Sequence, residues 1–439
     1  MASPAQPDAP PAATADLVDR TLDPQVDDEA SLALVDGWLH GTSRGFHDGR
    51  PGDEEHALWL RCARADAAEL RGLWEPSPPV GSGNLPVATI SSWDGTLHAG
   101  AGLLPLRLIT DVTVAPTHRR RGLLRRLLGE ELAATARRGV PVAALTVSEG
   151  TIYGRFGFGP ATRKRSVEVD VGDRFALHGP AAAGRVVLVE PAEAEEVVAA
   201  VAQRHHETTR ATVSRPAFYR EVLAGRLDPE TRGEDRKLRV AVHLDEAGTP
   251  DGYVAWRHRG EVEGRGTLDV ADLLALSPAT HLALWRFLAS LDLTERVRWR
   301  GAPVVDPLDH AVVDPRAVRT VGTTDVLWLR VLDPVAVLAA RPWRGDGRVV
   351  LEVDDALGHA TGRFAVTVRD GRAEVERLDD ARDAGDLRLD VAVLGTLLLG
   401  DVDVATLADA GRVAGSDAAV SAYAAVGDLA APPWCPTGF

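Results

Sequence analysis

The stretch that most restricts what this chain can fold into lies between residues 104 and 147. Leu104, Leu106, Leu108, Thr110, Val112 and Val114 alternate along one face, the period-two signature of a strand. Pro116 ends it. From Gly122 to about Arg138, Leu123, Leu124, Leu127, Leu128 and Leu132 recur at helical spacing, and Gly139 stands where a C-terminal cap would. Val140 to Val147 reads as a second buried strand. The segment is therefore strand, Arg-Gly turn, helix, strand, with short connections.

That turn, Arg119-Arg-Arg-Gly122, suggests chemistry. A helix starting directly after a strand leaves its first N–H groups free, and with the helix dipole they form an anion site. Gly122 lets the backbone approach a phosphate closely, and Arg119, Arg120, Arg121 and Arg125 add charge that suits a pyrophosphate. A solvated basic helix start is an equal alternative on composition alone. A GxxxxGK[ST] run is absent, as is GxGxxG in a strand-to-helix turn, so the two commonest phosphate loops are excluded.

The rest of the chain supplies a frame. Its 439 residues predict two to four domains. Residues 1 to about 16 are Ala, Pro and small polar residues and predict a disordered tail. A helix follows a cap at Asp27 or Asp28; a Gly-rich loop spans 41–52; a second helix is expected over about 53–70, and strands over 87–91 and 96–103. Val167, Val169 and Val171 alternate in a further strand, and the Gly- and Ala-rich link at 178–184 reads as a boundary. Beyond it the order strand (186–189), helix (191–207), helix (214–225), strands (238–244, 252–258), helix from Ser277-Pro278, strand (295–299) repeats the first segment without its Arg-Gly turn. His205 and His206 fall on an expected surface helix. A last segment from about Pro334 carries strands at 348–353, 362–369 and 372–377 and helices near 390–399 and 403–411.

Two cysteines, Cys62 and Cys435, cannot build a disulfide framework or a zinc site and fit a reducing, cytoplasmic setting; His118, His205 and His206 lack metal-ligand partners at usable spacing, so no metal is expected. The net charge of −15 argues against a nucleic-acid partner and is compatible with a cationic one. No apolar run is long enough to span a membrane.

Arg119, Gly122 and Leu124 occupy the fixed positions of the pattern [RQ]-x-x-G-x-[GA], with Leu124 departing from the usual small residue, so the turn resembles the coenzyme signature of the GNAT acetyltransferases. After the next strand, Ser148-Glu149-Gly-Thr-Ile-Tyr153-Gly-Arg-Phe-Gly157-Phe158 is similar to the GNAT element whose Tyr protonates the departing thiolate. A buried Tyr filling a helix–sheet gap is the structural alternative. The longer run APTHRRRGLLR, with PVAAL, SEG and IYGRFGFGPAT, resembles the Eis (enhanced intracellular survival) family of actinobacterial acetyltransferases. Asp251-Gly-Tyr-Val-Ala-Trp-Arg257, Leu284-Trp285-Arg286, Leu291-Asp292 with Glu295-Arg296, and Leu327-Trp-Leu-Arg330 extend that resemblance along the chain.

The resemblance implies an α+β architecture. Two GNAT-like domains (17–178 and 179–332, each a mixed sheet with flanking helices) precede a sterol-carrier-protein-like α/β domain (333–439) whose tail returns to the active site. It implies acetyl-CoA as cosubstrate. The backbone of Val112, Thr113 and Val114 would pair with the pantetheine arm. Arg119 to Arg121 and Gly122, Leu123, Leu124 and Arg125 would cradle the pyrophosphate, and Ser148 and Glu149 would border the thioester. Tyr153 would be general acid and the Phe439 carboxylate general base, taking a proton from an ammonium so that a neutral amine attacks; the N–H of Val112 or a neighbour would hold the oxyanion. An α-carboxylate is ionised at pH 7, although a frayed terminus is the default for any chain end. Asp111 stands where an aromatic is expected and could equally be an ordinary solvent-facing carboxylate, opposite Val112 by alternation. Asp48 and Trp59 are candidate pocket walls, with a turn Asp and a core Trp as the alternatives. The implied substrates are aminoglycoside-like polycations, polyamines or lysine side chains, and the implied assembly is a homohexamer. A lipid-binding or scaffolding protein with a vestigial site is the competing reading.

Overall fold

The computed structural model describes residues 16–78, 85–180, 183–378 and 386–439. The expected tail lies outside them up to residue 15, as do residues 79–84 and part of the 178–184 link. In chain order the elements of the first part are β1 (Val18–Leu22), α1 (Glu29–Gly45), α2 (Asp53–Ala65), β2 (Glu69–Trp74), β3 (Ala88–His98), β4 (Leu103–Val114), α3 (Leu123–Arg137) and β5 (Val142–Thr146). Next come α4 (Gly150–Tyr153), β6 (Gly159–Pro160), β7 (Arg163–Asp170), β8 (Arg185–Val189), α5 (Pro191–Thr208), α6 (Phe218–Leu223), β9 (Leu238–Leu244), β10 (Pro250–Val262), β11 (Arg265–Ala275), α7 (Pro278–Ala289) and β12 (Arg296–Ala302). After α8 (Leu308–Ala311), β13 (Val318–Asp325) and β14 (Leu327–Val331), the last part holds α9 (Pro334–Ala340), β15 (Gly347–Asp354), β16 (Gly362–Arg369), β17 (Arg372–Leu378), β18 (Leu387–Asp390), α10 (Val391–Leu398), α11 (Val404–Asp409), β19 (Val413–Gly415) and α12 (Asp417–Gly427).

Two compact units emerge. The first comprises the chain up to Gly95 together with Pro105–Leu145; the second comprises Thr96–Leu104 and Thr146–Phe439. In the first, β1 to β5 lie side by side in sequence order. α1 begins as expected, with Asp28 accepting from Ser31 N–H at 3.0 Å. It does not stop at Gly41 but runs to Gly45, because a glycine there admits Thr113: a Cβ on Gly45 would sit 2.6 Å from the Thr113 Cβ. The helix expected over 53–70 ends at Ala65, and left-handed Ala67 (φ 50°) turns the chain into β2, which buries Leu70 and Leu73. The two short strands expected over 87–103 are one long β3, followed by a turn into β4. Trp38, Leu39, Leu70 and Trp74 form part of the unit's core.

In the second unit, β13-β7-β12-β11-β10-β9-β8 form one sheet and β17-β16-β15-β18-β19 another, while β14 pairs antiparallel with β6. The larger sheet is covered on both sides. Val254 and Trp256 of β10 enter one core with α7, while their alternating neighbours Tyr253 and Ala255 enter another with α5. His205 and His206, expected at the surface, are buried on the inner side of α5, and desolvation lowers both imidazoles to about 4. β11 was not expected because Asp269 and Asp272 interrupt its pattern; both are paired to arginines, Asp269 with Arg298 at 2.7 Å and Asp272 with Arg215 at 2.7 Å. α10 is buried at all eight positions.

Candidate active site

In the first unit, β4 carries a break. Asp111 has φ 54°, a conformation an L-residue adopts at a cost, and it interrupts the side-chain alternation expected from Leu104 to Val114. Beyond it Thr113, not Val112 or Val114, is buried, with its hydroxyl 2.7 Å from Thr89 Oγ1; Thr89 in turn donates to the Asp111 carbonyl at 2.8 Å. The left-handed Asp111 thus breaks the simple alternation expected along this stretch. Parallel pairing with β5 covers Leu106↔Val142, Arg107↔Ala143 and Leu108↔Ala144, while β4 continues to Val114. The flank of Val112, Thr113 and Val114 thus extends past its partner strand. Burial raises the Asp111 carboxyl to about 6. Beneath β4, buried Arg107 donates to Glu131 (2.8 Å), Glu69 (2.7 Å), Asp94 (3.0 Å) and Ser92 (2.9 Å), clamping the strand to α3 and its neighbours.

The Arg-Gly turn follows. Arg120 (φ 62°) and Gly122 (φ 79°) are both left-handed, so the turn curls on itself before α3, a backbone form that gathers N–H groups into an anion-binding concavity. No side chain caps α3; its first backbone bond runs from Arg126 N–H to the Gly122 carbonyl at 3.0 Å, so the N–H groups of Leu123, Leu124 and Arg125 lie ahead of the helical ladder. Leu123 buries its side chain and contributes backbone alone to that end. Arg119, Arg120, Arg121 and Arg125 are exposed and, among the described residues, make no ion pair. Arg126, by contrast, is held by Asp19 at 2.9 Å. His118 is buried 3.0 Å from Glu75 and 2.9 Å from Thr117 Oγ1, which pins the turn. A bare strand flank followed by an uncapped helix start and four unpaired guanidinium groups fits a linear pantetheine arm ending in a pyrophosphate. Trp59 stacks on Trp38 at 5.8 Å and packs on the core, and Asp48 lies in the exposed turn after α1, its N–H bonded to Ser43 O.

In the second unit, Ser148 and Glu149 lead into α4, and Tyr153 at its end is buried, edge-on to Phe158 at 6.3 Å. Burial, and then the Glu149 charge, push the phenol above its ordinary value, so it stays protonated at neutral pH. The chain end is packed rather than frayed. Trp434 donates to the Gly301 carbonyl at 2.9 Å and lies edge-on to Trp299 (6.0 Å) and His205 (5.7 Å). Cys435 and Thr437 are buried, and desolvation raises the Cys435 thiol to about 11, which leaves it inert. Gly438 N–H donates to Tyr219 Oη at 2.9 Å, and Thr146 Oγ1 donates to a Phe439 carboxylate oxygen.

Tyr219, Thr146 and the buried group behind Tyr219 were not singled out from sequence. Arg215 stacks over the Tyr219 ring at 4.6 Å and reaches Tyr253 Oη at 2.6 Å and Asp272 at 2.7 Å. Tyr253 donates to the same carboxylate at 2.5 Å. The available signal was scarcity: the chain has four tyrosines, and two stand here. Among the described residues, no group of three or more His, Cys, Asp or Glu could hold a metal ion, and no helix is long and apolar enough to cross a membrane.

Comparison with known proteins identifies the domains and the family. Residues 32–161 and 212–331 each match an acetyltransferase (GNAT) domain, and residues 334–436 match a sterol carrier protein domain. The N-acetyltransferase Eis of Mycobacterium tuberculosis is 39% identical over 331 residues, 72% of this chain and 76% of that protein. An uncharacterized N-acetyltransferase of Streptomyces avermitilis is 38% identical over 367 residues, 80% of this chain and 86% of that one. The crystal structure of Eis1 from Mycobacterium abscessus superposes with a TM-score of 0.79 at 29% identity, covering 96% of this chain and all of that one. The chain is thus an α+β protein of two GNAT domains followed by a sterol-carrier-protein-like domain, and it belongs to the Eis family of acetyl-CoA-dependent N-acetyltransferases.

Proposed function

We propose that this acetyltransferase modifies primary amines of a polycationic substrate, such as an aminoglycoside, a polyamine or a lysine side chain, by direct attack of the amine on the thioester. The division into domains at 17–178, 179–332 and 333–439, a homohexameric assembly and a cytoplasmic location are part of the same proposal, carried over from the family resemblance. The coenzyme would lie along the Val112–Val114 flank, its pyrophosphate on the Arg119–Arg125 turn. The bare flank beyond Leu108 and the uncapped α3 start support this.

The observation that carries the catalytic reading is the ordered chain end. A flexible terminus would lose its catalytic advantage to entropy, whereas Phe439 is held through its carboxylate by Thr146 and through Gly438 by Tyr219. In this reading the carboxylate removes a proton from the ammonium, the neutral nitrogen attacks the thioester carbon, and the sulfur leaves. Tyr153 delivers its phenolic proton to that sulfur, and the second proton that the nitrogen sheds as the amide forms restores the phenol, so that the neutral amine and thioester become amide and thiol. A donor is required there, and burial keeps the phenol protonated. The N–H groups of the Val112 region would hold the oxyanion, and Ser148 and Glu149 would border the thioester. The lipid-binding alternative has less behind it: α10 spends its whole apolar surface on packing.

Thiol release from acetyl-CoA across aminoglycosides, polyamines and lysine peptides tests the reading. Tyr153→Phe and a chain extended by one glycine beyond Phe439 are run beside the parent. Full activity of the extended chain removes the terminal base, and an unchanged Tyr153→Phe rate removes the general acid.

A further inference from the structure

The second GNAT copy contains a gap of its own, and the chain's last residues fill it. Parallel pairing between β11 and β12 covers Thr267↔Arg296 to Val270↔Trp299, although β11 runs on to Ala275 and β12 to Ala302. Trp434 packs against the core on the α7 face of this sheet and also against the core on the α5 face. One side chain can touch both faces of a sheet only where the sheet is open. Its indole N–H bonds the Gly301 carbonyl, on the stretch of β12 beyond the ladder.

The helix start that would serve an anion here is already satisfied. Ser277 Oγ accepts from Thr280 N–H at 3.1 Å, Pro278 has no N–H to give, and Asp251 accepts from Thr280 Oγ1 at 2.6 Å. The gap of this copy therefore holds the tail, and its helix start offers no comparable anion site. At its mouth stands Tyr219, whose oxygen accepts the Gly438 N–H one residue before the chain end. Its ring lies under Arg215, and Arg215 is fixed by both oxygens of Asp272 at 2.7 and 3.2 Å and by Tyr253. An arginine gripped at two nitrogens in a buried setting has little rotational freedom, and the ring stacked on it inherits that rigidity.

We propose that Tyr219 is a positioning residue for acetyl transfer, backed by Arg215, Asp272 and Tyr253, and that the second GNAT domain acts in the reaction by fixing the direction of the Phe439 carboxylate. This rests on the reading of that carboxylate as the base. Removing the Tyr219 hydroxyl leaves the tail docked through Trp434 but frees the Gly438 peptide to rotate.

The test is a cycle of four chains: the parent, Tyr219→Phe, the chain extended by one glycine, and both changes together, each assayed for kcat and KM at saturating amine. The expected result for Tyr219→Phe is a kcat about 10-fold lower, with KM for acetyl-CoA changed less than about 2-fold and unaltered thermal melting. In the extended chain, whose base is already displaced, the same substitution changes kcat by less than about 2-fold. Asp272→Asn, which loosens Arg215, follows the same pattern with a smaller loss. A Tyr219→Phe enzyme with parental kcat overturns the positioning role while a slow extended chain leaves the base intact. An equal Tyr219→Phe loss in both backgrounds also overturns it, since Tyr219 then acts elsewhere. An extended chain with full activity overturns the base reading itself.

Discussion

The two GNAT domains start from the same plan of strand, helix and splayed parallel strand, and they diverge at the same two places. In the first, the helix after the splayed strand starts uncapped at a left-handed Gly122 beside four arginines that, among the described residues, make no ion pair. In the second, the corresponding helix is sealed by Ser277, Pro278 and the Asp251 contact. The first leaves its strand flank bare past Leu108; the second fills the equivalent gap with Trp434. A few satisfied backbone donors thus suffice to close a helix start to anions, and the strand gap beside it takes an indole instead.

The sharpest attempt to break this contrast is on the tail. Extending the chain by one glycine after Phe439 is expected to lower kcat by about 100-fold or more while leaving KM for acetyl-CoA near the parental value, as measured by thiol release. Next comes the turn: Arg121→Ala with Arg125→Ala is expected to raise KM for acetyl-CoA by about 10- to 100-fold, since each removes a charge-assisted contact to phosphate. No loss of coenzyme affinity by calorimetry would mean that the turn is merely a solvated basic helix start.

Asp111 probes the strand bulge. Its carboxyl is raised to about 6 by burial, against an ordinary value of 3.8. Below pH 3.8 it is neutral in both folded and unfolded chains. Between 3.8 and about 6 only the unfolded chain ionises, so folding loses stability as pH rises, and above about 6 that cost is complete. Asp111→Asn, which tolerates the same left-handed backbone, is expected to gain about 1–2 kcal/mol at pH 8 after allowance for partial exposure and nothing at pH 3.5, read by denaturant unfolding at the two pH values. The smallest effect is on the sealed helix. Ser277→Ala removes its cap and is expected to cost about 1 kcal/mol of stability, with KM for acetyl-CoA unchanged. A change in that KM would show that the second copy still touches the coenzyme.

Much of the site was legible because its signals are local. Alternation marked β4, leucine spacing marked α3, and Arg119-Arg-Arg-Gly122 marked the helix start, all within a span where neighbours in sequence are neighbours in space. The same logic failed at Asp111, where one left-handed residue breaks the alternation that follows, and at β11, where half-buried Asp269 and buried Asp272 look like surface charge until their arginines are known. It failed at His205 and His206 because helical periodicity says which residues share a face but not which face is covered. Arg125 and Arg126 are indistinguishable as letters, yet one is exposed and the other is bound to Asp19.

The sequence by itself determined the fold class, the repeat, the Arg-Gly turn and the aromatic element around Tyr153. The repeat and the turn follow from hydrophobic period and backbone chemistry that act over a few residues, whereas the fold class and the Tyr153 element were read from the resemblance to the Eis family. Only the tertiary structure decided where the last residues sit. A chain end is by default free, because nothing local opposes its conformational entropy. Here Trp434 bonds Gly301, Gly438 bonds Tyr219 and Phe439 bonds Thr146, contacts spanning 133, 219 and 293 positions of sequence. Such contacts leave no periodic trace, and they exist only once folding has brought distant parts of the chain together.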